Sequence, residues 1–168
     1  MESIQRTFTF PLIVNETAAR LVAAMVACLA CAVIVSGFHA ALPVLAVGFL
    51  LRVLAGPKIS PLALLAVKVL VPGLRLPVRP VAGAPKRFAQ GIGLAVTVTA
   101  SLLSLVLHER GAADALLALL VVFATLESVF GFCAGCWLYG VAMRNGWLGA
   151  DACVDCAPEK TRAGRNAA

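Results

Sequence analysis

Residues 112–143 read AADALLALLVVFATLESVFGFCAGCWLYGVAM. As one unbroken helix this run would extend ~48 Å at ~1.5 Å per residue, against a hydrocarbon core of ~30 Å. It is long enough to cross a bilayer and too long to do so straight, so it must protrude, tilt or break. Gly131 and Gly135 are the candidate break points, because glycine tolerates backbone geometry that interrupts a helix. The same stretch places Glu127, then Cys133-Ala134-Gly135-Cys136, then Trp137 and Tyr139, near its far end.

Upstream, three further apolar runs predict spans over 18–37, 40–55 and 88–107, with the quoted run contributing 112–136. Each is near the ~20 residues a spanning helix needs, the second being short. Asn15-Glu16-Thr17 supplies a cap for the first. That run is long for a signal sequence and a second follows at once, which argues against cleavage. The 88–107 run is rich in Gly, Ala, Ser and Thr, which suit close helix packing in lipid. Between the second and third runs, prolines and glycines punctuate 56–88. There Pro61 to Val71 is apolar apart from Lys68, too short to span, and reads as an interfacial or re-entrant helix.

Composition agrees. Of 168 residues 61% are hydrophobic and 13% charged, where a soluble domain carries about 25% charge; mean hydropathy is +0.97. The expected fold is all-α, an integral membrane four-helix bundle of two antiparallel hairpins, with a membrane domain over 1–143 and a polar, basic tail over 144–168.

The net charge of +6 does not imply nucleic acid, because the cations sit in short loops beside apolar runs. Lys58, Lys68, Arg75, Arg79, Lys86 and Arg87 fall between the second and third runs, and Arg144, Lys160, Arg162 and Arg165 in the tail; the opposite loops hold Arg110. The excess of Lys and Arg on one side predicts cytoplasmic termini and a cytoplasmic central loop, in the inner membrane.

All six cysteines fall into Cys-x-x-Cys pairs: Cys28/Cys31, Cys133/Cys136 and Cys153/Cys156. Residues three apart share a helix face, so each pair can reach one disulfide, metal or partner sulfur. The topology puts Cys28/Cys31 at mid-bilayer, Cys133/Cys136 at the cytoplasmic boundary and Cys153/Cys156 in the tail, so a structural disulfide from an oxidising compartment is not expected. Trp137 and Tyr139 read as an interfacial belt beside the second pair. A thiol there can ionise, helped by a helix restarting after Gly135 or by Arg144. Cys28 and Cys31 read as small hydrophobes unless the first span packs on the fourth.

Glu127 is costly in a membrane and is the candidate proton acceptor, although ideal helix phase does not turn it toward Cys136. His39 and His108 read as outer-interface residues. Together Cys133, Cys136, Cys153 and Cys156 also have the spacing of a structural zinc site. No phosphate-binding glycine loop, metalloprotease helix or Ser-His-Asp set stands in the sequence.

Pro85-Lys86-Arg87-Phe88-Ala89-Gln90-Gly91 and Phe132-Cys133-Ala134-Gly135-Cys136-Trp137-Leu138-Tyr139 together resemble the bacterial membrane family called domain of unknown function 4395, over most of residues 5–143. The resemblance assigns no activity. It implies a small multi-pass membrane protein, of a kind often encoded near thioredoxin-like proteins and sulfurtransferases, and through that neighbourhood thiol or sulfur traffic. Only Cys133/Cys136 match the family motif; the other pairs are extras of this chain.

The expected function is thiol or sulfur redox handling. Cys133 and Cys136 would act as a dithiol–disulfide or persulfide couple, as in a thiol–disulfide oxidoreductase or sulfur carrier. Glu127 would assist, with exchange through Cys153/Cys156 to a thioredoxin-like or sulfurtransferase partner. The alternatives are a permease or channel for a small sulfur species, and a structural subunit with a zinc-bound tail. No cofactor is expected outside that zinc reading, and the other partner is the lipid bilayer.

Overall fold

The computed structural model describes residues 11–146. They form a mostly helical body: β1 (Ile13–Asn15), α1 (Glu16–Ser36), α2 (Leu42–Ala55), α3 (Pro61–Gly73), β2 (Pro80–Ala82), α4 (Gly83–Leu105), α5 (Arg110–Phe130) and α6 (Ala134–Arg144). Four helical stretches are long and apolar enough to cross a membrane: Glu16–Ser36, His39–Lys58, Gly83–Leu105 and Arg110–Phe130. The second gains its length from 3-10 turns at both ends of α2.

Local chemistry sets the boundaries. The Asn15 side chain accepts from the Thr17 amide at 3.0 Å and so caps α1, and Gly37 closes it in the left-handed region at φ 66°. The third span begins at Gly83 rather than Phe88. Two cations counted in the central loop are satisfied inside the fold: Lys86 pairs with Glu127 and the Arg87 Nε donates to the Val53 carbonyl at 3.0 Å. The fourth span ends at Phe130, earlier than the expected 136, because the chain breaks there.

α4 is the hub. It packs extensively on α2 and also on α5 and α6, while α1 packs mainly on α5. Small residues allow the approach: Ala30, Ala100 and Ala113 are fully buried. Gly93 lies against the Phe49 ring, where a Cβ would clash, so it serves packing as expected; Gly91 meets nothing. The outer surface carries large exposed apolar side chains, among them Val35, Val44, Leu102, Val122 and Phe130, a surface suited to lipid rather than water.

Two contacts tie the ends of the bundle. β1 pairs antiparallel with β2, Val14 opposite Val81, which sets the starts of α1 and α4 side by side. Elsewhere the His39 Nε2 lies 2.9 Å from the Asp114 Oδ1 and its Nδ1 lies 2.9 Å from the Gly37 carbonyl. His39 is buried, because the Asp114 carboxylate and a backbone carbonyl satisfy its ring. His108 is exposed.

Candidate functional site

The site is built where α5 breaks. Its last turn, Leu126–Phe130, is π-helical and ends on Gly131 in the left-handed region at φ 71°, a geometry that favours glycine. The carbonyls orphaned by the break need donors. Arg20 of α1 supplies them, Nε to the Ser128 oxygen at 3.1 Å and Nη2 to the Val129 oxygen at 2.7 Å.

The helix restarts at Ala134, not after Gly135, so Cys133 is the N-cap residue of α6 in extended conformation. Cys136 falls within the first turn. Gly135 has a different task, the close approach of α6 to α4: a Cβ there would lie 2.6 Å from the Ala89 Cβ and 2.7 Å from its Cα. The Phe88 and Tyr139 rings extend this contact, 5.6 Å apart between centroids and tilted by 57°. Of the expected aromatic belt, Trp137 is 57% exposed, whereas Tyr139 at 6% is packed inward against α4.

Glu127 stands in the π turn and accepts a hydrogen bond from the Lys86 ammonium at 2.6 Å, with both side chains largely buried. Sequence reasoning counted Lys86 among loop cations and missed this pair. The available signal was Glu127 itself: an acid in an apolar helix calls for a cation, and Lys86 lies at the mouth of a neighbouring apolar run. Arg52 of α2 is also buried. Its guanidinium lies over the Phe49 ring, 4.3 Å from the centroid, its Nε donates to the Gly48 carbonyl, and it interacts electrostatically with Glu127.

These charges act on the thiols. A hydrogen bond from the Cys136 thiol holds Cys133 below the ordinary thiol range, with the Lys86 charge assisting and burial and Glu127 opposing. Cys136 is pushed up, chiefly because it gives that hydrogen bond and also by burial. The pair is asymmetric: Cys133 is the sulfur prepared to be a thiolate and Cys136 the one prepared to keep its proton. Arg52 and Lys86 against Glu127 leave one positive charge over, and a Cys133 thiolate makes the group even. Arg144, the cation expected to help, ends α6, ~12 Å of helix rise beyond Cys136.

Glu127 and Cys133, though not Cys136, line one cavity of about 230 Å³ together with Arg52 and Gln90. Cys28 and Cys31 are exposed on the outer face of α1; α1 does pack on α5, but with these two thiols turned away. Cys153 and Cys156 lie outside the described residues. Among the described residues no three His, Cys, Asp or Glu side chains gather to hold a metal, so a zinc site would need the tail pair.

The fold and site define a class: a small helical protein with four helices fit to cross a membrane and a pair of cysteines at the start of a helix, set against a buried ion pair. The chain belongs to the family described as Domain of unknown function (DUF4395), whose model matches residues 14–144. No curated protein and no solved structure matches it. Both segments that carried the family resemblance meet at the site: Lys86 and Ala89 from one, Cys133 and Gly135 from the other.

Proposed function

We propose that the protein is a membrane thiol–disulfide exchange protein whose working couple is Cys133/Cys136. The observation that carries this reading is the placement of the pair at the start of α6, Cys133 at the N-cap position and Cys136 in the first turn, within the electrostatic reach of the buried Lys86–Glu127 ion pair. In the oxidised form a thiolate of a thioredoxin-like or sulfurtransferase partner attacks the Cys136 sulfur. The Cys133–Cys136 bond breaks and Cys133 leaves as the stabilised thiolate, which favours it as leaving group. A second partner thiol then attacks the mixed disulfide, releasing Cys136, which takes up a proton. Two electrons pass from partner dithiol to the membrane couple, and the reverse follows the same steps.

The bilayer arrangement is two antiparallel hairpins, α1 with α2 and α4 with α5, in the inner membrane with both termini and the Cys133/Cys136 pair on the cytoplasmic side. Support comes from the cation-rich central segment and from the β1–β2 ribbon, which starts α1 and α4 at one end of the bundle. α3 rests at the interface on that side.

The test is thiol counting on purified full-length protein with an impermeant alkylating mass tag, before and after reduction, with zinc assayed alongside. Equilibration with oxidised glutathione should block Cys133 and Cys136 together, and reduction should release both. Thiols that stay free in oxidant, or that a chelator alone releases, would defeat the reading.

The second reading, a non-catalytic path for a small sulfur species, has the cavity beside Cys133 and Glu127 in its favour. Uptake that survives Cys133→Ser would select it.

A further inference from the structure

The cavity beside Cys133 has two kinds of wall. Most of it is apolar, contributed by residues such as Ala23, Val26, Phe49 and Leu120. Polar groups are few: the Arg52 guanidinium, with Nε on Gly48, the Glu127 carboxylate, held by Lys86, and the Gln90 amide, whose Oε1 is buried without a partner. A buried amide oxygen left unpaired is costly unless something occupies the space before it. Cys133 is in the wall, whereas Cys136 is not.

Size and access narrow the occupant. A cavity of ~150 Å³ holds benzene, so one of about 230 Å³ takes a substituted six-membered ring. Ile92, Leu119, Phe123 and Leu138 line it and also reach the outer surface of the bundle. It therefore opens sideways among α4, α5 and α6, through side chains that suit lipid. A small inorganic anion fits these mostly apolar walls poorly, and the Glu127 carboxylate stands among them. A flat, lipid-soluble molecule with ring oxygens fits: an acceptor for Arg52, a hydroxyl once reduced for the Gln90 oxygen, and an apolar tail through the opening.

We propose that this cavity binds the ring of a membrane quinone, which takes the two electrons of the Cys133/Cys136 dithiol. The inference rests on the dithiol reading above and names its electron acceptor. The Cys133 thiolate adds to a ring carbon, forming a C–S bond while an electron pair moves to the carbonyl oxygen beside Arg52. Cys136 gives up its proton and attacks the Cys133 sulfur. The S–S bond forms, the C–S bond breaks, and its pair returns to the ring. One proton comes from Cys136 and one from water, replacing the proton Cys133 released on ionising. The dithiol is oxidised to disulfide and the quinone reduced to hydroquinone.

The test uses full-length protein, reduced and desalted without oxygen, and a benzoquinone carrying one isoprene unit. Quinone absorbance and free thiols are followed together, and exchange with oxidised glutathione is measured on the same samples. Wild type should consume one quinone per two thiols lost at Cys133 and Cys136. The ratio of quinone oxidation to glutathione exchange should fall at least tenfold in Arg52→Met and in the cavity-filling Ala124→Phe. Protein that exchanges with glutathione but leaves quinone untouched overturns the proposal, as does an unchanged ratio in both variants. A Cys133→Ser/Cys136→Ser variant reads the cavity alone: it should retain the quinone in binding assays and lose it on adding Ala124→Phe. Retention without any thiol exchange in wild type would overturn the electron transfer and the dithiol reading while upholding the quinone site; absence of retention with normal exchange would overturn the site alone.

Discussion

At the scale of single residues, the asymmetry of Cys133 and Cys136 makes a direct prediction. The Cys136 thiol donates to Cys133, lowering one and raising the other. Only the thiolate alkylates, and a free cysteine ionises near pH ~8.5. Alkylation of the reduced protein across pH should therefore show Cys133 reacting with a midpoint below the ordinary range and Cys136 above it. Cys136→Ala removes the donor and should move the Cys133 midpoint upward. Cys136→Ser keeps a hydroxyl donor and should move it less. Equal midpoints for the two variants would show that the hydrogen bond is not what lowers Cys133. The sequence located this pair and the cost of Glu127, because cysteine spacing and an acid in an apolar run are visible in one dimension. It could not assign the two sulfurs their roles, which depend on the hydrogen bond between them and on Lys86 arriving from another helix.

At the scale of elements, the break between α5 and α6 decides what the site can be. Length alone required an interruption within 112–143, and glycine content limited where it could fall. Of the two glycines weighed, Gly131 makes the turn and Gly135 makes the contact with α4. Sequence could not separate them, since both tasks exclude a side chain for different reasons. Substitution does separate Gly135 from its neighbour Gly140. A methyl at 135 would sit 2.6 Å from Ala89, whereas at 140 it meets nothing within 4 Å. Gly135→Ala should cost ~1–3 kcal/mol as overpacking. Gly140→Ala should be neutral or gain ~0.5–1 kcal/mol from helix propensity. Thermal unfolding in detergent compares them, and an equal response at both positions would refute the close approach of α6 to α4.

At the scale of the whole molecule, the buried ion pair joins the packing of the bundle to the reactivity of the dithiol. Lys86 comes from α4 and Glu127 from the end of α5, and the two elements between them position Cys133. Hydropathy anticipated the four apolar helices but treated Lys86 as a loop charge, because a window average cannot see a cation neutralised across 41 residues of sequence. Removing one member of such a pair strands the other, at a cost of ~3–5 kcal/mol. Lys86→Met and Glu127→Gln should therefore both lower unfolding stability, and Lys86→Met/Glu127→Met should recover most of the loss. Reactivity should behave differently. The Lys86 charge favours the Cys133 thiolate and the Glu127 charge opposes it, so Lys86→Met should slow Cys133 alkylation at neutral pH and Glu127→Gln should speed it. Stability falling in both while reactivity moves in opposite directions is the signature of charge acting through space. If both variants instead expose Cys133 and alkylate faster, the pair holds the helices together without tuning the thiol.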